Sequence, residues 1–310
     1  MSRGAVLPMQ SYQLAAYAMP LRCFICEADN VFDAEFCTYC SAPMSLARQA
    51  KSQKAPPQMI AVLGASGVGK TVYLGTLMDM LSREDQPTHL LSRGAFSITL
   101  QQITVAALSR CEFPDKTANE PEQWNWAYSQ VSRGKKDPPL ELIMPDMGGE
   151  ALLEEADHPH SFRVIQRFLQ KCAGAMLLID SPQLDEETRQ QDFFAMKLLS
   201  YLSELDTGNR RTWSQRPIAM VLTKADECEA CLENPAAYAW EHANGLWQHC
   251  KERFRQHKFF SASVAGAVAW RESPTRGRRQ VPLRIEPHGI VEPLEWLLER
   301  LSSGKKKLEL

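Results

Sequence analysis

The stretch MIAVLGASGVGKTVYLGTLMDML (59–81) constrains the fold of this chain more than any other. Five apolar residues, Met59 to Leu63, meet Gly64-Ala65-Ser66-Gly67-Val68-Gly69-Lys70-Thr71, which satisfies the pattern G-x4-G-K-[ST]. Behind that turn, Val72, Leu74, Leu77, Met78 and Leu81 recur at helical spacing. A strand that runs through a glycine-rich turn into a helix aims several backbone N–H groups and the helix N-terminus at one point. That point suits a chain of phosphates. The pattern expects Lys70 to reach the β- and γ-phosphates and Thr71 to offer its hydroxyl to Mg²⁺. An α/β fold is the expected setting.

Composition narrows the class. A chain of 310 residues has room for one large core, or for one core and a small satellite. Hydrophobic and charged contents of 44% and 23% are those of a soluble globular protein, and a net charge of −2 gives no general attraction to nucleic acid or to a membrane surface. The runs MIAVL, AMLLI and IAMVL are strand-sized, well short of the roughly 18 residues of a bilayer span. The first residues, MSRGAVLPMQSYQLAAYAMP, lack the pattern of a secretion signal and the Met-Gly start of a myristoylation site. The expectation is a cytoplasmic protein with no membrane span and no strong nucleic-acid signal.

Four of the nine cysteines have their own explanation. In CFICEADNVFDAEFCTYC, Cys23, Cys26, Cys37 and Cys40 are spaced Cys-x2-Cys-x10-Cys-x2-Cys. Two tight pairs closed by a short loop make a tetrahedral four-thiolate site for Zn²⁺, and a site with no open position is structural. The Pro and Gly usual in a zinc ribbon's knuckles are replaced by Phe24-Ile25 and Thr38-Tyr39. After it, SLARQAKSQKAPPQ has linker composition. The expected division is a flexible N-terminus 1–20, a zinc ribbon 21–44, a linker 45–57, a main domain 58–303 and a basic tail 304–310. The ribbon is expected to hang on its tether with one face free for a partner.

Three later elements follow the glycine turn in a fixed order. LELIMPDMGGE (140–150) is a strand ending in Asp146-x-x-Gly149, with Glu150 next. IAMVLTKAD ends a strand in Thr223-Lys224-Ala225-Asp226, and KFFSAS ends another in Ser261-Ala262-Ser263. WNWAYSQV (124–131) and LELIMPD read as two arms of a hairpin. CEFPDKTANEP lies just before it, so Thr117 is the candidate hydroxyl from that side, with Thr99 and Thr104 as alternatives. Those two lie in a stretch whose Leu100, Ile103, Ala107 and Leu108 suggest a buried helix face.

Taken together, the four elements resemble the GTPases of the TRAFAC class, and PDMGGE looks most like the Arf and heterotrimeric Gα version. The resemblance implies a Ras-like P-loop domain, a mostly parallel sheet with helices on both faces, binding GTP or GDP with Mg²⁺. It assigns Gly64 to Thr71 to the phosphates. Asp226 is assigned to the guanine ring, with Thr223 and Lys224 beside it, and Ser261-Ala262 to guanine O6. Asp146 would order Mg²⁺ through water, Gly149 would bind the γ-phosphate, and Thr117 would cap both as the switch I threonine. The separation of 46 residues between Thr71 and Thr117 exceeds that of Ras-like proteins, so switch I carries an insertion. Catalysis would rest on Lys70, Thr117, Gly149 and Glu150. Arf-like and Gα proteins carry Gln at the place of Glu150, and an ionised carboxylate accepts a hydrogen bond but cannot donate one.

The glycine turn with its helix, FPDKT, PDMGGE, TKAD and the final GIVEPLEWLL, preceded by a zinc ribbon, further resemble the bacterial double-GTPase family. That likeness implies a protein effector or second GTPase as partner, an activating partner for slow hydrolysis, and a place in a stress or antiviral conflict system. The alternative is a nucleotide-dependent scaffold with little hydrolysis, its ribbon recruiting a partner.

Elsewhere, 185–205 and 289–301 are expected helices, and 235–254 an added or lengthened one. Cys228 and Cys231 are expected to be buried thiols, and His158 and His160 loop residues. TRGRRQVPLR (275–284) is expected to be a solvated loop, and Arg93, Arg110 and Arg133 lie near switch I.

Overall fold

The computed structural model describes residues 19–53, 56–83, 88–134, 139–185, 188–205, 212–273 and 277–306. Most of the expected N-terminal segment and part of the basic tail lie outside these residues.

A seven-stranded sheet organises the main domain. Its strands are β3 (Gln58–Leu63), β4 (Thr88–Arg93), β5 (Asn125–Arg133), β6 (Leu140–Asp146), β7 (Gly174–Asp180), β8 (Ile218–Thr223) and β9 (His257–Ser261). Their spatial order is β4-β5-β6-β3-β7-β8-β9; β6 to β9 run parallel around β3, and β4 and β5 are antiparallel to their neighbours. The expected hairpin of 124–131 with 140–146 is the β5–β6 pair.

Alternation along the central strands supplies both faces with apolar residues. Met59, Ala61, Leu63, Ala175, Leu177 and Ile179 enter one core cluster, while Ile60, Val62, Met176 and Leu178 enter the other. Burial on both faces explains why MIAVL and AMLLI read as unbroken apolar runs. The second face is covered by α2 (Lys70–Leu81) and α10 (Glu292–Lys306), through Leu74, Leu77, Leu294 and Leu297. The first is covered by α5 (Arg163–Lys171) and α6 (Gln190–Glu204), through Val164, Phe168, Leu198 and Leu199. Each such side chain contributes about 1.5–3 kcal/mol on burial.

Several expectations are corrected. Helix α3 (Ala95–Ser109) buries Ser97, Leu100, Thr104 and Ala107, while Ile103 is exposed. The reason is the cover it finds: Ser97 Oγ donates to Tyr128 O at 2.6 Å and Thr104 Oγ1 approaches Thr71 O at 3.4 Å. The 235–254 stretch is two helices, α8 (Pro235–His242) and α9 (Asn244–Arg253), broken at Ala243, where φ is −134°. Preceding them, α7 (Glu229–Glu233) buries Cys231. The basic run 275–284 lies mostly in a strand. β10 (Ser263–Ser273) and β11 (Gly277–His288) form a long antiparallel hairpin inserted between β9 and α10.

The ribbon is docked, not tethered. Its strands β1 (Leu21–Arg22) and β2 (Asp29–Asn30) pair, and α1 (Ser45–Lys51) occupies what composition suggested was linker. Leu46 and Ala47 supply the reason, since both are buried in one apolar cluster with Cys23, Cys37, Ile25, Met44 and main-domain residues including Phe168. Arg48 donates to Phe32 O and Ala34 O. Lys171 of α5 pairs with Glu27 at 2.7 Å and donates to Phe24 O, while Arg163 lies over the Tyr39 ring at 4.7 Å.

Candidate functional site

One pocket collects most of the predicted residues at the C-terminal ends of β3, β6 and β8, where open α/β sheets bind ligands. Ser66 to Thr71 form one wall. Lys70 is buried, and its Nζ donates to Gly64 O and Ala65 O, each at 2.9 Å. Burial lowers its pKa to about 8, partly offset by the Asp146 carboxylate. Gly64 and Ala65 therefore face the lysine with their carbonyls and are not part of the wall.

At the end nearest the glycine turn, three side chains from distant parts of the chain converge. Thr71 Oγ1 donates to Asp146 Oδ2 at 2.8 Å, Thr117 Oγ1 donates to the same oxygen at 2.9 Å, and the two hydroxyls are 2.9 Å apart. Asp146 is buried, and its Oδ1 has no hydrogen-bond partner. Burial raises its pKa, opposed by the Thr71 hydroxyl, the Lys70 charge and the Thr117 hydroxyl. A buried anionic oxygen without a partner beside two hydroxyls is a hard, all-oxygen donor set, which fits Mg²⁺. Thr104 points instead at the backbone of α2, and Thr99 lies exposed on α3.

Gly149 closes this end. It begins α4 (Gly149–Asp157), and a Cβ built on it would lie 2.3 Å from Ser66 N and 2.5 Å from Ala65 C. Only glycine lets the segment after Asp146 lie directly on the glycine turn. Glu150 is exposed and does not line the pocket; its Oε2 accepts from Asn119 Nδ2 at 2.9 Å.

At the other end, Thr223, Lys224, Asp226, Ala262 and Ser263 line the wall, whereas Ser261 does not. Thr223 is turned inward, donating from Oγ1 to Val68 O at 2.9 Å and to Ile179 O at 3.1 Å. Its side chain thus ties the end of β8 to the glycine turn. Lys224, at φ 56°, pairs its Nζ with the Asp180 carboxylate at the end of β7. Asp226 has its pKa raised by burial, against its own backbone N–H and Lys224. Ala225 N donates to Ala262 O and Ala262 N to Leu222 O, so the two loops are bonded to each other.

Sequence reading missed part of the wall. Phe113 to Lys116, just before Thr117, line the pocket, as do Ala265, Val268 and Gln280 from the β10–β11 hairpin. The signal for the hairpin was present: SVAGAVAW and RRQVPLRI flank a Pro- and Gly-containing turn. Arg93 pairs with Glu141, Arg110 lies 3.9 Å from Glu112, and Arg133 donates to Ser302. None of the three lines the pocket.

The four ribbon cysteines form the metal-holding group found among the described residues, with all ligand atoms within 4.8 Å of one another. Cys23 and Cys40 sulfurs are 3.8 Å apart and those of Cys26 and Cys37 3.5 Å. Tetrahedral thiolates at Zn–S 2.3 Å stand about 3.8 Å apart, so the donor set fits zinc. Asn30 Nδ2 points at Cys37 Sγ from 3.4 Å, a second contact that holds this sulfur in place. Cys228 and Cys231 join no such group. No helix of the described residues is long and apolar enough to cross a membrane.

The model of a family described as Double-GTPase 1 matches residues 61–195. No curated protein matches the chain. Among solved structures, an ADP-ribosylation factor-like GTP-binding protein, the small COPII coat GTPase SAR1 of Encephalitozoon cuniculi in complex with GDP, is 16% identical, with a TM-score of 0.38 over 86% of this chain and 89% of that one. The Arl6 small GTPase of Trypanosoma brucei, with a bound nucleotide analogue, is 14% identical, with a TM-score of 0.41 over 80% and 98%. A putative nucleolar GTP-binding protein 1 of Plasmodium falciparum is 13% identical, with a TM-score of 0.43 over 83% and 92%.

Proposed function

We propose that this chain, whose residues 61–195 match the Double-GTPase 1 family model, is a GTP-binding switch that hydrolyses GTP slowly until a partner completes its site. The observation that carries the reading is the convergence of Thr71, Thr117 and Asp146 at one end of a pocket whose other end holds Asp226 and Ala262.

Each residue then has a task. The N–H groups of Ser66 to Thr71 hold the phosphates at the start of α2, and Lys70 exchanges two carbonyl partners for phosphate oxygens. Thr71, Thr117 and Asp146 hold Mg²⁺, Asp146 through water. Bound Mg²⁺ supplies charge stabilisation on the phosphates during transfer. Gly149, pressed on the glycine turn, offers its N–H to the γ-phosphate. Loss of that phosphate frees both Gly149 and Thr117, and the two segments relax. Asp226 reads the guanine ring, with the Ser261-Ala262 loop beside O6 and the Lys224 stem beneath the base. Ser261 supports that loop from behind.

Hydrolysis is slow in this reading because Glu150 stands outside the pocket and no arginine of switch I enters it. A partner, either an effector or a second GTPase, supplies what is missing, in a cytoplasmic stress or antiviral conflict system. The name of the matched family supports the second GTPase. The position of Glu150 also favours a second reading, a nucleotide-dependent scaffold that hardly hydrolyses; phosphate release absent both alone and with cell extract would select it.

The guanine assignment is tested by Asp226→Asn. It is expected to weaken GTP about tenfold to a hundredfold, the effect of leaving one or two polar groups unpaired, and to favour xanthosine nucleotide. Unchanged GTP affinity by calorimetry sinks the assignment.

A further inference from the structure

The β10–β11 hairpin grows directly out of the base loop and ends on switch I. Its root, Ser263, follows Ala262, whose backbone is bonded to both Ala225 and Leu222. Val268 and Gln280 of the hairpin line the nucleotide pocket. Further along, Arg271 and Arg279 face each other as cross-strand partners. Like charges directly opposite destabilise a strand pair unless something sits between them. Here Glu112 does: its Oε1 accepts from Arg271 Nη2 at 2.8 Å and from Arg279 Nη2 at 2.6 Å. Glu112 belongs to neither strand. It immediately precedes Phe113 to Thr117, the segment that lines the pocket and carries the switch I hydroxyl.

We infer that this hairpin is a strap that couples guanine recognition to closure of switch I, with Arg271 and Arg279 as positioning residues that act through Glu112. The inference rests on the reading of the pocket as a GTP site. A triphosphate that draws Thr117 onto Asp146 brings Glu112 between the two arginines. That contact lowers the hairpin over the base side, and a base seated against Ala262 holds the strap's root in return. Coupling of this kind is reciprocal. Its ligand class is a purine nucleoside triphosphate that occupies both ends at once; pyrophosphate or guanosine alone engages one end and gains nothing from the strap.

The test is release of fluorescent GDP and of a fluorescent non-hydrolysable GTP analogue from the parent protein, from Glu112→Gln, and from Arg271→Gln with Arg279→Gln. The expected result is triphosphate release faster by about three- to tenfold in both variants, the scale of two exposed charge pairs, with GDP release little changed. Raising the salt concentration is expected to move the parent toward the variants. Reversing all three charges, Glu112→Arg with Arg271→Glu and Arg279→Glu, is expected to restore slow triphosphate release. Equal acceleration of both nucleotides, or no acceleration, in variants that unfold at the parent's temperature overturns the strap. A parent that binds neither nucleotide sinks the GTP reading itself, an outcome visible before any variant is made.

Discussion

Asn119 donates from Nδ2 to Glu150 Oε2 at 2.9 Å, joining the residues just past Thr117 to the first turn of α4. The surroundings hold this bond in place. Trp124, buried, donates from Nε1 to Ala118 O at 2.9 Å. A Cβ on Gly148 would stand 2.6 Å from that same carbonyl and 2.9 Å from Asn119 Oδ1. The first glycine of PDMGGE therefore lets the segment after Thr117 lie against the start of α4, and Glu150 is held on the outer side of that contact.

Freeing Glu150 is expected to quicken hydrolysis. Asn119→Ala removes the donor, and a carboxylate released toward the pocket accepts a proton from the attacking water. Single-turnover phosphate release is predicted to rise about threefold to tenfold, a fraction of what a fully placed general base contributes. Adding Glu150→Ala should return the rate to that of the parent, because the gain runs through that carboxylate. No rise in Asn119→Ala, or a rise that survives the added Glu150→Ala, would make Glu150 a bystander.

The two threonines at Asp146 are expected to separate by nucleotide state. Thr71 belongs to α2 and stays by the phosphates in both states, so Thr71→Ala should weaken GDP and GTP alike and raise the Mg²⁺ concentration needed for either. In the proposed switch, Thr117 leaves Asp146 when the γ-phosphate is lost. Thr117→Ala should weaken a non-hydrolysable GTP analogue about tenfold and leave GDP within about twofold, the loss of one charge-assisted contact. Mg²⁺ titrations of both variants with both nucleotides check this; an equal loss for GDP moves Thr117 out of the switch role.

Lys70 gives binding a pH dependence. Buried among carbonyls, its pKa is lowered to about 8, against 10.5 for the free side chain. Phosphate oxygens favour the charged form, so nucleotide binding raises that pKa and takes up a proton wherever the empty site has lost one. Binding should be nearly proton-neutral at pH 6.5 and take up about half a proton or more at pH 8.5. Affinity should fall as pH rises through 8. The same shift acts on the empty fold with opposite sense: between about 8 and 10.5 the unfolded chain binds the extra proton, so stability rises with pH there. Calorimetry in buffers of different ionisation enthalpy reads the uptake directly, and a value near zero at pH 8.5 contradicts the assignment.

Legibility in the sequence followed the kind of physics involved. The glycine turn, the β5–β6 hairpin and the zinc cysteines declared themselves because each depends on local spacing. Thr223 was named for the base, yet its hydroxyl spans to Val68 and Ile179, a contact set by strand neighbours that no spacing records. Glu112 drew no expectation from the sequence, because its two arginines lie more than 150 positions away. The linker reading failed at Leu46 and Ala47 for a related reason. Two apolar residues in a polar run count for little in composition, but they find cover once the ribbon is folded. What escaped sequence reading was long-range pairing, and the walls added to the pocket were built from it.

The docking of the ribbon predicts that zinc at its four cysteines contributes to the stability of the whole fold. Cys23, Cys37 and Cys40 are buried in the same apolar cluster as Phe168 and Leu169 of α5, and Lys171 and Arg163 of that helix contact Glu27, Phe24 and Tyr39 of the ribbon. Losing the metal leaves a segment too small to hold its own shape and strips cover from α5. Chelation, or Cys40→Ser, is therefore expected to lower the melting temperature by roughly 5–10 °C, the response of a domain this size to a loss of a few kcal/mol. Hydrogen exchange should quicken in α5 as well as in the ribbon. The route continues to the switch. Glu155 of α4 accepts from the backbone N–H of His160 and Phe162 ahead of α5 and from Tyr201 Oη, so α4 and α5 share one buried carboxylate. Guanine nucleotide should then slow exchange in the ribbon of the zinc-loaded protein and have less effect after chelation. Faster exchange confined to 19–53 after chelation would show instead that the ribbon comes away without disturbing the GTP-binding domain.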